Sequence, residues 1–183
     1  MIYNFLKRFF DFFFGISLLI LISPLFIILI LILRFTGEKE VFYLQKRIGY
    51  KNKPFLIWKF ATMKKNSSNI GLKDLTIKDD PRVTVFGKIL RVTKLNELPQ
   101  IINVIKGDVS FVGPRPLMKS SFEQYDSFYQ NNIYNVRPGI TGIGSIIFRD
   151  EETLISDLKN IEPHEFYRNY ISPYKGSVEI WYQ

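Results

Sequence analysis

The sequence has no cysteine and only one histidine, His164. The first absence excludes disulfides and thiolate zinc sites; the second leaves too little imidazole for a histidine metal cluster or a nucleophile–histidine pair. His164 follows Pro163 in a polar stretch and reads as a surface or capping residue. Internal repeats and low-complexity tracts are missing, and so is any recognised nucleic-acid module. The formal charge is +8, but the cations are dispersed, which argues for no nucleic acid as partner. Chemistry must come from carboxylates, arginines and a hard metal ion.

One absence is local. No charged side chain occurs from Phe12 to Leu33, a run flanked by Lys7, Arg8 and Asp11 before it and Arg34 after it. A straight helix of that length would cross a hydrocarbon core of about 30 Å. Ser23-Pro24 falls near its middle, and a proline there removes a helical hydrogen bond and favours a sharp bend. Cations lie at both ends, with Lys7 and Arg8 on one side and Arg34, Lys39, Lys46 and Arg47 on the other, so charge gives no strong orientation. Both observations fit a reentrant helix-break-helix over residues 1–36 that dips into the membrane and returns, anchoring a domain over 37–183. A single span kinked at the proline is the other reading. A cleavable signal is disfavoured, because Pro24-Leu25-Phe26 continues the apolar run with no small-residue cleavage site. Beside an anchor, the basic excess also reads as attraction to anionic lipid headgroups.

The most informative stretch runs from Arg91 to Pro116, RVTKLNELPQIINVIKGDVSFVGPRP. Leu98, Ile101, Ile102 and Ile105 have the i, i+3, i+4, i+7 spacing of one helix face. Asn96 is a favoured N-cap type, Pro99 suits a first turn, and Gly107 after Lys106 suits a helix end. The first turn would present backbone N–H groups beside Asn96 and Glu97, a location for phosphate. Gly113-Pro114-Arg115-Pro116 reads as a proline-stiffened segment that fixes the direction of Arg115.

Elsewhere, Glu40–Tyr43 and Phe55–Phe60 around a turn-rich Gln45–Pro54 suggest a β-hairpin. Lys64–Lys78 is a polar loop, and Asp79 and Asp80 are either turn caps or contacts to a metal or substrate. A short helix over Phe86–Val92 carries Lys88 and Arg91. Phe122–Tyr134 reads as one amphipathic helix with Phe122, Tyr125, Tyr129 and Ile133 on a shared face, for core packing or the headgroup layer. Asp157–Trp181 holds two proline-interrupted helical pieces. The fold class is α+β: the membrane segment plus a small, mainly helical domain with a short hairpin.

Leu95, Glu97, Leu98-Pro99-Gln100, Asn103, Lys106-Gly107-Asp108 and Gly113-Pro114-Arg115-Pro116 together resemble the signature of the bacterial sugar transferase family, monotopic phosphoglycosyl transferases. Similar family elements are Gln45, Arg47 and Gly49; Lys59, Phe60, Thr62 and Met63; Asp80-Pro81-Arg82 with Thr84; and Val136-Arg137-Pro138-Gly139-Ile140-Thr141-Gly142. The resemblance implies transfer of a phospho-sugar from a nucleoside diphosphate sugar, expected to be a UDP-sugar, to polyprenol phosphate at the cytoplasmic face of the bacterial inner membrane. That reaction initiates surface glycan synthesis, and downstream glycosyltransferases are possible partners. It further implies Mg²⁺ as cofactor, and Arg91, Arg115 and Arg137, with Pro114 and Pro116, as substrate-binding residues. The chain has Asn96 where the family has its nucleophilic aspartate. Three explanations stand open: Glu97 is the nucleophile or metal ligand with Asn96 orienting a phosphate; the chain is a silent nucleotide-sugar-binding or scaffold protein; or transfer is direct, with Glu97 helping to deprotonate the acceptor.

Overall fold

The computed structural model describes residues 2–65, 67, 80–150 and 163–183. Asp79, most of the loop expected at Lys64–Lys78, residues 151–162 and the side chain of His164 lie outside the described residues. The chain forms two compact units, one of Met1–Gln45 and Leu56–Gly107, the other of Lys46–Phe55 and Asp108–Gln183.

The first unit begins with α1 (Ile2–Phe35). It is long and apolar enough to cross a membrane. Pro24 lies inside the helix, which runs through it as one hydrogen-bonded element where two helices were expected. A proline at 24 deprives the Ile20 carbonyl of its usual i+4 donor. The hydroxyl of Ser23 donates to that carbonyl instead, at 2.7 Å, so no acceptor is stranded in an apolar environment.

Most of α1 exposes apolar side chains, among them Phe5, Ile20, Leu21, Ile27 and Ile28. Its two ends are partnered within the same unit. Near the start, the Arg8 guanidinium donates to the Val104 and Ile105 carbonyls, and Gly15 lets the helix approach Ile105 closely. Near the end, Phe26, Leu29 and Leu33 are buried with Phe60 and Leu90.

Strands β1 (Phe42–Ile48) and β2 (Pro54–Phe60) form the hairpin. The first strand extends to Ile48, further than its expected end at Tyr43, and the turn shrinks to residues 49–53. Lys51 and Asn52 make that turn in the left-handed region. At the base, the Phe60 ring lies 5.0 Å from Phe26 and 5.6 Å from a stacked Phe42. Helix α2 (Val85–Val92) follows, with the Thr84 hydroxyl accepting from the Gly87 amide at 3.0 Å. Helix α3 (Gln100–Lys106) ends at Gly107, whose φ of 92° is left-handed as expected of a helix-terminating glycine.

The second unit contains a two-stranded parallel sheet that the sequence did not predict. Strand β3 (Ser110–Val112) pairs with β4 (Gly139–Thr141) in the register Ser110 to Gly139 and Val112 to Thr141. Between them lie α4 (Lys119–Phe122) and α5 (Ser127–Asn132), two short helices where one amphipathic helix was expected. The break at 123–126 lets Phe122, Tyr125, Ile133 and Tyr134 all turn into one buried cluster with Leu117. Helix α6 (Ile143–Ile147) follows. At the C-terminal end α7 (Pro163–Phe166) passes through a π-helical turn, Tyr167–Ile171, into α8 (Ser172–Trp181). The described part of the expected Asp157–Trp181 segment, residues 163–181, is therefore continuous, since Pro173 falls in the first turn of α8, where a missing N–H costs little.

Candidate active site

In the first unit the site is built on the turn between α2 and α3. Lys94 adopts the left-handed region (φ 58°), and Leu95–Glu97 form a single 3-10 turn. Asn96 is thus not an N-cap: Pro99 occupies that position, with no side-chain cap. Several of the amides expected to meet a phosphate are committed to the backbone, with Glu97 N donating to Lys94 O, Leu98 N to Leu95 O, Ile101 N to Leu98 O and Ile102 N to Pro99 O. The side chains of the turn are the further candidates for holding an anion.

Those side chains are close together. Glu97 Oε1 lies 3.5 Å from Lys59 Nζ, both side chains being 16% exposed. The strand that carries Lys59 is fixed by Asn103 of α3. Its Oδ1 accepts from Trp58 N at 2.9 Å and its Nδ2 donates to Leu56 O at 2.8 Å, so one fully buried amide substitutes for a neighbouring strand. Asn96 is itself buried, and among the described residues its Oδ1 accepts no hydrogen bond. A buried polar atom without a partner is uncommon and marks a place for a ligand atom.

Arg91 lies in the last turn of α2, and its charge contributes to lowering the pKa of Asp80. The dominant cause there is Arg82, whose guanidinium donates to both Asp80 oxygens, bringing the carboxyl down to about 2. Asp80 also accepts from the Arg82 amide at 2.9 Å. It is a buried structural group, the turn-capping reading of the two that the sequence allowed.

The second unit holds Pro114, Arg115, Pro116 and Arg137. Gly113 and Gly139 let the two proline–arginine segments cross at contact distance: Gly113 N donates to Thr141 O, and Gly139 N to Pro114 O. A Cβ on Gly139 would meet Gly113 N at 2.1 Å. Arg47 Nη1 donates to Pro116 O at 3.1 Å, and Ile48 N to Leu117 O at 2.9 Å. The Arg137 guanidinium lies 5.4 Å from the centre of the Tyr50 ring, a cation–π distance. The structure thus groups Asn96, Glu97 and Arg91 in one unit, and Arg115, Arg137, Pro114 and Pro116 in the other.

Sequence reasoning missed two residues of the second unit. Tyr134 Oη donates to Arg115 O at 2.8 Å and accepts from Leu117 N at 2.8 Å. Glu179 Oε1 accepts from the Arg115 amide at 3.3 Å. Neither residue belongs to a motif element quoted above; the only hint was a carboxylate in a helix otherwise rich in apolar and aromatic residues.

A model of the family described as bacterial sugar transferase matches residues 2–178. The exopolysaccharide production protein ExoY of Sinorhizobium fredii is 37% identical over 163 residues, covering 79% of this chain and 70% of that protein. The UDP-glucose:undecaprenyl-phosphate glucose-1-phosphate transferase of Klebsiella pneumoniae is 41% identical over 142 residues, 76% of this chain but 30% of that enzyme. The undecaprenyl-phosphate galactose phosphotransferase of Salmonella typhimurium is 36% identical over 162 residues, 81% of this chain and 34% of its own length.

Proposed function

The chain belongs to the bacterial sugar transferase family, and from that premise we propose that it transfers a phospho-sugar from a UDP-sugar to polyprenol phosphate. The observation that carries the proposal is the half-buried turn in which Glu97 meets Lys59 while Asn96 keeps an oxygen with no partner among the described residues. Relatives named for glucose and for galactose transfer share this similarity, so the chemistry assigned is that of the diphosphate and the sugar is left open.

In the transfer, an oxygen nucleophile forms a bond to the phosphorus that bears the sugar, and the bond from that phosphorus to the bridging oxygen breaks. The bridging oxygen leaves with its electron pair as part of UMP. Glu97 is the carboxylate of this step. Either it is the nucleophile, and a phosphate oxygen of polyprenol phosphate then attacks the same phosphorus and breaks its bond to Glu97, freeing the carboxylate, or it accepts the proton of the attacking polyprenol phosphate. Lys59 holds it in place. Asn96 is neutral and nucleophilically weak; its amide orients a phosphoryl oxygen. Arg91 in the first unit, and Arg115 and Arg137 in the second, supply guanidinium charge that matches phosphate oxygens.

Mg²⁺ fits this donor set. Among the described residues no cluster of three or more His, Cys, Asp or Glu could cage a metal. Glu97 and the Asn96 carbonyl oxygen offer two hard ligands, and Mg²⁺ commonly takes its remaining ligands from phosphates and water. When bound it would neutralise the separating diphosphate.

We also propose that α1 is reentrant and that the domain is cytoplasmic. Arg8 near one end and Leu33 near the other both pack on the first unit, which supports a helix that returns to the face it entered. The pathway served is surface glycan assembly.

Asn96 favours a second reading, a silent protein that binds the nucleotide sugar without turnover. UMP release from a panel of UDP-sugars, with polyprenol phosphate and Mg²⁺, decides between them. Release by the unaltered chain supports the enzyme; binding without release, restored by Asn96→Asp, supports the silent form.

A further inference from the structure

Arg115 is gripped by its backbone from both sides. Its carbonyl accepts from Tyr134 Oη at 2.8 Å, and its amide donates to Glu179 Oε1 at 3.3 Å. Both partners are withdrawn from solvent, Tyr134 at 1% and Glu179 at 2% exposure. The space for a carboxyl at this depth comes from Gly144. A Cβ on Gly144 would stand 2.3 Å from Glu179 Oε1, and one on Gly142 would lie 3.7 Å from Oε2. Pro114 and Pro116 already restrict the segment, so two hydrogen bonds to the residue between them leave its backbone little freedom.

A buried carboxyl is costly unless it does something that an apolar side chain cannot. Here Oε2 is buried with no hydrogen-bond partner among the described residues, so the bond through Oε1 and the nearby charges of Lys175 and Arg115 are what offset that cost. We propose that Glu179 is a positioning residue, which with Tyr134 fixes the backbone of Arg115 and so aims its guanidinium at a diphosphate. The inference rests on the function proposed above for its ligand, but its geometry stands without it. The neutral acid suffices for the task, because a carbonyl-type oxygen accepts from an amide as well as a carboxylate does in kind. Burial pushes the Glu179 carboxyl up from its ordinary range, opposed by the Arg115 amide and by the charges of Lys175 and Arg115.

The test uses the full chain in lipid nanodiscs and four variants: Glu179→Ala, Glu179→Gln, Arg115→Ala and the Glu179→Ala/Arg115→Ala pair. Misaiming a binding group costs on the order of tenfold to a hundredfold. Glu179→Ala should therefore raise the KM for the UDP-sugar by about that factor, with a smaller effect on kcat. Glu179→Gln, which keeps the acceptor, should recover most of the loss. The double variant should be no worse than Arg115→Ala, since positioning has no value without the group positioned. Losses that multiply in the double variant, or a Gln variant as impaired as the Ala variant, would overturn the proposal.

Hydrogen exchange at the Arg115 amide is read on the same samples and needs no turnover. Exchange should quicken in Glu179→Ala, and unchanged protection would also overturn the proposal. Should the unaltered chain release no UMP, the enzyme reading fails while this measurement still decides the role of Glu179. If Glu179→Ala does not fold, Tyr134→Phe removes the opposite grip and should give the same Arg115-dependent rise in KM; an unchanged KM there counts against the proposal.

Discussion

Lys59 Nζ stands 3.5 Å from Glu97 Oε1, and the residue before Lys59 is hydrogen-bonded through its amide to Asn103 of the helix that follows Glu97. Strand and turn are therefore locked together by an amide on one side and an ion pair on the other. Glu97→Gln should cut turnover by at least about a hundredfold, the scale seen when a group acting on the transition state is removed. The protein should still sediment with membranes. Lys59→Met should lower turnover as well, and the double variant should lose less than the product of the two.

Asn96 offers a contrast between stability and activity. Among the described residues its Oδ1 has no partner to lose, so Asn96→Ala should change unfolding free energy by no more than about 1 kcal/mol. Turnover should nonetheless fall by about tenfold or more, because the substitution removes an oxygen that can ligate a metal and an amide N–H that can orient a phosphoryl oxygen. A variant that is unstable and yet fully active would contradict the assignment.

The absence of cysteine makes the membrane topology directly readable, because any thiol introduced is unique. Asn4→Cys lies in the first turn of α1 and Glu38→Cys just beyond its last residue. With a reentrant helix, both should react with a membrane-impermeant maleimide in inside-out vesicles and neither in right-side-out cells. Labelling of the two from opposite sides would establish a span.

Acid should act through Asp80. The Arg82 guanidinium holds its carboxyl down to about 2, below the ordinary 3.8, so the pair stabilises the fold above the ordinary value. That contribution is lost as pH falls from about 4 towards 2. Asp80→Asn should lower the melting temperature at neutral pH by several degrees and flatten this acid limb, as followed by circular dichroism.

Glu179 has the opposite sign. Its pKa in the folded chain lies above the ordinary 4.5, chiefly through burial, with Lys175, Arg115 and Tyr134 as the ionisable groups facing it. Its favourable contribution is complete below the ordinary value and is lost as pH rises through the higher folded one. Glu179→Gln should therefore gain stability relative to the unaltered chain as pH is raised above the ordinary 4.5 in urea titrations.

Local signals in the sequence were reliable where the structure is local. The apolar run from Phe12, the spacing of Leu98 and Ile101, the helix stop at Gly107 and the apolar strands around Gly49–Pro54 all led to elements that are present. The role of Asn96 was misread because capping preference describes a residue type, whereas the left-handed Lys94 and the 3-10 turn place Asn96 one turn too early. The β3–β4 pair was illegible because three-residue strands have no measurable period, and their partnership depends on glycines far apart in sequence. Tyr134 and Glu179 were missed for a related reason: a side chain that serves a backbone group tens of residues away leaves no local pattern.

Arg8 gives the membrane segment a duty besides attachment. Its guanidinium closes the C-terminal end of α3, on the carbonyls of Val104 and Ile105, and the opposite end of that short helix emerges from the turn that holds Asn96 and Glu97. The anchor is thus not an interchangeable tag. An unrelated hydrophobic helix grafted in place of residues 1–36 would keep the protein on the lipid, yet it would take the Arg8 donors from the Val104 and Ile105 carbonyls and leave the turn of Asn96 and Glu97 on a looser support.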